Sequence, residues 1–321
     1  MQTACPYHTP EIHKAISART FVAELKSQLR LIDLLALLAV PLFLFAAQLL
    51  PAAARRELAL VYERPTLVSM LTAHFVHATW GHLFSNLGSY TLVTLTAYVL
   101  SVLTDRRRQF FIVFVAILTV VPMGLSLVIV QLRSTGIAWG FSGIVMALVG
   151  YLLLIQVGYF ALRFSPAAHL DHAPGIFFFG IAAIVLITSP LTRTTGLIVS
   201  GVILIGLFYL WPVLRASSIS GVFAGVQRAG YFEVALFGTI TSGWMILTTF
   251  SARAGTTTVI IDQTSHLFGF TAGFLLAYIA LRTDCSFAHV CHCARPDSDC
   301  KLHASWLTRC LRWVLVWIGY C

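Results

Sequence analysis

Long apolar segments without a single charged residue recur along the whole chain. Seven of them are 18 to 23 residues long and occupy positions 34–54, 83–103, 110–132, 140–162, 197–214, 234–252 and 263–281. An eighth, from Pro174 to Pro190, is slightly shorter but rich in Phe, Ile, Val and Leu. A helix needs about 20 residues to cross about 30 Å of hydrocarbon, and continuous apolar runs do not fit the alternating pattern of a β-barrel. The pattern therefore predicts about eight transmembrane helices.

The overall composition agrees with this prediction. Apolar residues make up 58% of the 321 residues, charged residues only 10%, and the mean hydropathy is +0.86. An average soluble domain has about 25% charged residues, so this chain lacks the polar surface that a soluble fold of its size needs. The composition excludes a soluble globular enzyme, a disordered chain and a disulfide-rich secreted domain. It predicts an all-α polytopic membrane protein.

The basic residues predict the orientation of the helices. With the N-terminus in the cytoplasm, eight crossings place fifteen of the 21 Lys and Arg residues on the cytoplasmic side and six on the outer side. Because loops rich in Lys and Arg tend to stay in the cytoplasm, we expect a multi-pass protein of the cell membrane with both termini cytoplasmic. The net charge of +9 is then mostly a topology signal that also suits the anionic headgroups of the lipid bilayer. No basic and aromatic stripe stands apart from the membrane flanks, so no nucleic-acid partner is predicted.

The chain divides into a cytoplasmic N-terminal leader, a transmembrane domain and a cytoplasmic Cys- and His-containing tail that ends in an interfacial helix: 1–30, 31–282 and 283–321. The leader fits either a short amphipathic helix or a solvated segment. Six of the seven Cys residues lie in the tail, where a cytoplasmic location disfavours disulfides. Because Cys291-x-Cys293 is not a usual zinc-ligand spacing, we favour an irregular or lipid-modified tail over a metal site.

Titratable residues inside the predicted spans are rare. The exceptions are His82, at the head of the second span, and His266, near the head of the last. A titratable side chain in hydrocarbon is costly and therefore indicates function. The fourth span opens with a Gly-x-Ser-Gly string at 140–143, and the predicted topology puts Ser142 at the same depth as both histidines.

Small residues predict that the fourth and last spans approach closely. On the last span a histidine and two glycines form one stripe, at i, i+3 and i+7: His266, Gly269 and Gly273. A second stripe of small residues lies on the fourth span: Gly143, Ala147 and Gly150. Facing stripes of small residues let two helix backbones approach each other, which would bring a serine at the head of one helix within reach of a histidine on the other. The helix start also offers free backbone N–H groups that suit a developing oxyanion.

A polar pair lies at the head of the second span. His82 and Asn86 are four residues apart and share one face of the predicted helix. An asparagine in an apolar span needs a partner, and its amide is a good donor to an oxyanion. The other interpretation is a hydrogen bond between helices.

Together these motifs resemble those of the rhomboid intramembrane serine proteases. The resemblance rests on three motifs in the family's order: His82-x-x-x-Asn86, Gly140-x-Ser142-Gly143 and His266-x-x-Gly269-x-x-x-Gly273. His77 and the segment 147–151 add to it, and the similar region runs from about residue 31 to 282.

The resemblance implies a fold and an activity. It implies a rhomboid-like six-helix core, here with about two additional transmembrane helices. Ser142 would be the nucleophile and His266 its general base, a dyad without an acid, while His82 and Asn86 would serve the oxyanion hole. The expected activity is that of a serine endopeptidase acting on transmembrane protein substrates, without a metal or a small-molecule cofactor. The segment 234–252, next to the histidine span, is the favoured substrate gate.

The chain also departs from the family pattern. Residues 51–73 contain no Trp, whereas members commonly have Trp-Arg in the first outer loop. Members often have an aromatic residue one turn after the serine that stacks on the histidine, and this chain has Met146 there. Three predicted spans, rather than one, separate the serine span from the histidine span. One and three crossings both return the chain to the outer side, so the topology is preserved.

Three alternatives remain open. Asp262, four residues before His266, could complete a triad, although a helix cap or a solvated position suits it better. A catalytically inactive rhomboid-like scaffold would bind client helices, but such relatives lack the serine or the histidine. A transporter with His82 and His266 as a proton relay would need more buried polar residues than the spans contain.

Overall fold

The computed structural model describes residues 18–164, 168–216, 230–251 and 263–282. In these ranges the chain forms eleven α-helices: α1 (Ala18–Gln28), α2 (Leu31–Gln48), α3 (Ala52–Glu57), α4 (Leu67–Thr72), α5 (Trp80–Leu103), α6 (Arg107–Leu132), α7 (Ser142–Arg163), α8 (Ala173–Thr188), α9 (Arg193–Ala216), α10 (Tyr231–Ser251) and α11 (Gln263–Arg282). Two short strands, β1 (Leu60–Val61) and β2 (Ile137–Ala138), pair antiparallel, with Leu60 opposite Ala138.

Eight of the described helices are long and apolar enough to cross a membrane, and they coincide with the eight predicted spans: α2 and α5 to α11. The prediction of an all-α polytopic membrane protein is confirmed. The first span differs at its end, because α2 stops at Gln48 whereas the prediction ran to residue 54. Pro51 lacks a backbone N–H with which to continue α2 and occupies the position just before α3, so the apolar run splits into a span and a short outer helix.

Helix α1 lies within the predicted leader. The Cys- and His-containing tail, its interfacial helix and Asp262 lie outside the described residues.

Helix α7 forms the centre of the bundle. Every residue from Gly143 to Ile155 is buried, so the helix is surrounded on all sides. Helices α5, α6, α8, α10 and α11 pack around it. Helix α9 lies at the periphery against α8, where the backbones meet at Gly175 and Gly206. A continuous apolar run without a polar face suits this central position.

The closest approach in the bundle is between α7 and α11. A Cβ atom added at Gly273 would overlap the carbonyl oxygen of Ala147, and one added at Gly269 would overlap that of Gly143. From the other side, a Cβ at Gly150 would overlap the carbonyl oxygen of Phe270. The two stripes of small residues therefore face each other with their backbones in contact.

At the end of α7 opposite Ser142, helix α1 connects three spans. The Arg163 guanidinium is 2.5 Å from a Glu24 carboxylate oxygen, and it also donates a 2.8 Å hydrogen bond to the carbonyl of Leu103, the last residue of α5. Tyr231, the first residue of α10, donates its hydroxyl to the other Glu24 oxygen. The Phe21 ring packs edge-on against Tyr231, with ring centroids 4.9 Å apart. This end of α10 is thereby fixed to α1, α5 and α7.

The close approach of α7 and α11 predicts that a single methyl group added at Gly273 destabilises the bundle. In Gly273→Ala the new Cβ meets backbone rather than a flexible side chain, so α7 and α11 must separate, and we expect a loss of stability on the order of 1–3 kcal/mol. Gly201→Ala on α9 is the matched control, because no atom lies within 4 Å of its added Cβ. Thermal unfolding of both variants in one detergent tests the prediction. Equal midpoints for the two variants would contradict it.

Candidate active site

Ser142 and His266 lie together where α7 and α11 begin. The Nε2 atom of His266 is 2.8 Å from the Oγ atom of Ser142, a normal hydrogen-bond distance. Gly143 directly follows the serine and Gly269 lies one turn after the histidine, so the glycine contact sets the distance between the two side chains. The His266 side chain is 7% exposed, whereas Ser142 is partly accessible. A serine hydroxyl within hydrogen-bond distance of an imidazole is the arrangement that activates a nucleophile.

The chain turns sharply just before Ser142. Gly140 has φ +118°, a conformation that side chains other than glycine rarely adopt, and its N–H donates to the carbonyl of Ala73 at 3.0 Å. A Cβ at Gly140 would lie 2.5 Å from Cε1 of His82. The His82 imidazole therefore rests against the backbone two residues before the serine. Gly140 is needed both for the turn and for this contact.

Asn86 lies one helical turn further along α5. On the same face, His82 contacts Gly140 and Tyr90 packs on Phe141 with ring centroids 5.8 Å apart, so this face is directed at the start of α7. Asn86 is 5% exposed, and its Nδ2 atom has no hydrogen-bond partner among the described residues. An unpaired buried amide costs free energy, which suggests a donor kept for a ligand.

The start of α7 supplies backbone donors beside these side chains. Ile144 and Val145 both donate to the Phe141 carbonyl at 3.0 Å. Ser142 is the first residue of the helix, so its N–H has no acceptor within α7. A group bound beside the Ser142 hydroxyl would meet this N–H and the polar face of α5.

His77 supports the turn in a way that sequence reasoning did not specify. Its side chain is fully buried, and its Nε2 accepts a 3.4 Å hydrogen bond from the N–H of Phe141. Its ring packs edge-on against that of His82 at 5.1 Å, and its carbonyl accepts a 2.6 Å hydrogen bond from Arg55. Burial, together with the neighbouring His82 and Arg55, lowers the pKa of His77 to about 3, so the ring stays neutral and can accept. The sequence identifies Arg55 only as one of the six basic residues predicted on the outer side of the membrane.

A second unforeseen contact involves the His266 ring. Phe250, near the end of α10, packs edge-on against it, with ring centroids 6.1 Å apart and an angle of 88° between the planes. No periodicity in the sequence indicates this pair, because the residues lie on different helices. Met146, one turn after the serine, is buried in the bundle as a non-aromatic residue.

No cluster of three or more His, Cys, Asp or Glu side chains that could hold a metal ion occurs in the described part of the chain. The site described above consists of a hydroxyl, imidazoles, an amide and backbone N–H groups. These groups suit nucleophilic and acid–base chemistry.

Comparison with known proteins identifies no relative. No family model matches the chain, and neither a curated protein nor a solved structure matches it. The resemblance to rhomboid proteases therefore rests on the motif residues alone.

The turn at Gly140 predicts the reactivity of Ser142. In Gly140→Ala the added methyl group displaces His82 and strains the turn, and we expect labelling of Ser142 by a fluorophosphonate probe to slow by on the order of 100-fold. Gly136→Ala is the matched control, because Gly136 has a similar φ of +124° but a Cβ added there would meet only the Tyr62 ring. If both variants slow labelling equally, backbone strain rather than the His82 contact is responsible.

Proposed function

We propose that this protein is an intramembrane serine protease of the rhomboid type, which hydrolyses peptide bonds in or near the transmembrane segments of membrane proteins. The observation that carries the proposal is the 2.8 Å contact between Ser142 Oγ and His266 Nε2 at the head of a buried helix. The unpaired Nδ2 group of Asn86 supports it, because it lies on the face of α5 that is directed at the start of α7.

The reaction begins with proton transfer. His266 Nε2 accepts the hydroxyl proton of Ser142 while Oγ attacks the carbonyl carbon of the substrate peptide. A bond forms between Oγ and that carbon, and the carbonyl electrons move onto oxygen. The product is a tetrahedral intermediate with one negative charge on oxygen, beside an imidazolium.

Fixed donors then stabilise the oxyanion. We assign this role to the Nδ2 group of Asn86, the imidazole of His82 and the N–H of Ser142. Their positions are set by helix α5 and by the start of α7, so little reorganisation is needed when the charge develops. His77 holds the turn before Ser142 through its hydrogen bond with Phe141, and Arg55 in turn binds the His77 carbonyl.

Collapse of the intermediate completes the cleavage. The C–N bond breaks, and the His266 imidazolium donates its proton to the leaving amine. Water then attacks the acyl-enzyme ester, with His266 as the base, and releases the carboxylate product and free Ser142. The partly accessible Ser142 hydroxyl is compatible with this need for water.

The membrane sets the direction of substrate entry. With the termini in the cytoplasm of a cell-membrane protein, the end of the bundle that holds Ser142 faces outward. A substrate helix hides its carbonyl groups, so it must unwind locally before Oγ can attack. We favour α10 as the gate, because its outward-facing residues such as Phe237 and Trp244 are exposed and it borders both α5 and α11.

Removal of the nucleophile is the primary test. Purified wild-type protein in lipid vesicles should cleave a model transmembrane substrate, whereas Ser142→Ala and His266→Ala should reduce the rate by at least about 1,000-fold. Cleavage products are followed by gel and mass spectrometry. Fluorophosphonate labelling should disappear in Ser142→Ala.

The same experiment decides against the alternative of an inactive scaffold that binds client helices. A scaffold predicts no cleavage and no labelling of the wild type, with retained binding of the substrate helix. Equal cleavage by wild type and Ser142→Ala would likewise refute the dyad.

If Asn86 donates to the oxyanion, its replacement should lower the activity without lowering the stability of the protein. Asn86→Leu removes an unpaired buried amide with little change of volume, so the unfolding midpoint should stay equal or rise. The value of kcat should fall by on the order of 100- to 1,000-fold, because a donor to the oxyanion is lost. Thr94→Val, two turns further along α5, is the control and should leave kcat unchanged. A fall in the midpoint that accounts for the lost activity would argue for a structural role.

A further inference from the structure

The His266 imidazole must be held in one orientation for the dyad to work. Rotation of the ring about its bond to Cβ would carry Nε2 away from the Ser142 hydroxyl, and small misplacements of a reacting group cost large factors in rate. The ring lies at the second turn of α11, where Gly269 offers no side chain to pack against it. Other elements must therefore supply part of the support.

One such element is α10. The Phe250 ring is 1% exposed and meets the His266 ring edge-on, a favourable geometry for aromatic pairs. The carbonyl of Phe250 also accepts a hydrogen bond from the Gln263 side chain, three residues before the histidine, at 3.4 Å. The end of α10 is thus joined to the start of α11 by a side-chain and a backbone contact.

Helix α10 has only one side packed in the bundle. Its attachments are the Tyr231 contacts at the far end and a central one, where Gln156 of α7 donates to the Gly238 carbonyl at 2.9 Å and to the Ser242 hydroxyl at 2.7 Å. The opposite side, with residues such as Phe237 and Trp244, is exposed. Between the central attachment and Phe250 the helix packs by apolar contacts, through Met245 and Ile246 among others. Near Phe250, the described attachments of α10 are its contacts with Gln263 and His266 of α11.

We propose that Phe250 is a positioning residue for the general base, so that His266 is correctly oriented only while this end of α10 packs against α11. The inference rests on the proposed protease function and adds a consequence to it. If α10 moves to admit a substrate, the base loses its support until the helix returns. Proton transfer then follows closure of α10 and does not occur with α10 displaced.

The test compares three substitutions in the full chain, in lipid vesicles. Phe250→Leu keeps an apolar side chain but removes the ring, and we expect kcat to fall by roughly two- to tenfold, the range for loss of one aromatic contact, with KM nearly unchanged. Fluorophosphonate labelling of Ser142 should slow by the same factor. Phe250→Tyr keeps the ring edge and should restore most of both rates. Phe208→Leu makes the same change on the exposed side of the peripheral helix α9, away from the site, and should leave kcat as in the wild type.

A double-mutant cycle tests the dependence on the position of α10. Gln156→Leu removes the central attachment, and we expect it to lower kcat because Phe250 is held less firmly. In the Gln156→Leu, Phe250→Leu double variant the combined loss should be smaller than the product of the single losses, since both changes act through the same ring. Multiplicative losses would overturn the coupling between α10 and the base.

The failure of this inference can be told apart from the failure of the proposed function. Wild type without cleavage or Ser142 labelling would refute the protease. Two results with an active wild type would refute only the role of Phe250. One is an unchanged kcat in Phe250→Leu, and the other is a loss of kcat in Phe250→Tyr that equals the loss in Phe250→Leu. Unfolding midpoints of all variants are measured in parallel. A loss of kcat that scales with the midpoint and not with the presence of a ring would also overturn it.

Discussion

The contact between the α7 and α11 backbones is the constraint on which the candidate site depends. Inside a membrane, helices gain little from burying apolar surface, because lipid tails are as apolar as side chains, and close packing must hold them together. Gly269 and Gly273 supply that packing by meeting the carbonyls of Gly143 and Ala147 directly. Since Ser142 precedes Gly143 on the same helix, the same contact determines how near the hydroxyl comes to His266. Stability of the bundle and alignment of the dyad thus have one physical cause.

Polar groups at the two ends of the bundle follow different rules. At the end that holds α1, charges are paired: Glu24 with Arg163, and Asp33 with Arg107 at 3.1 Å. Paired charges at the margin of a membrane protein fix helix ends to one another. At the other end, the Nδ2 atom of Asn86 is buried without a hydrogen-bond partner among the described residues. A buried donor without a partner costs free energy, which agrees with the proposed role of this amide in the chemistry.

The sequence predicted the spans well, because a charge-free run of about 20 residues has few other structural solutions. It also predicted the facing glycine stripes, since a period of three to four residues defines one face of a helix. It failed where a local feature divided a run, as at Pro51, and where contacts join distant helices. Neither the His77 hydrogen bond to Phe141 nor the packing of Phe250 on His266 leaves a periodic signal. Such contacts depend on the packing of several helices at once.

The two proposals place conflicting requirements on helix α10. As the proposed gate it would have to leave its neighbours, and as the carrier of Phe250 it would have to pack against them. The two are compatible only if they are separated in time, with entry first and proton transfer after closure. The attachments at Tyr231 and Gln156 would allow this if they persist while the end of α10 near His266 moves. A segment that enters but prevents closure would then bind without being cleaved, so discrimination between substrates need not depend on side-chain pockets alone.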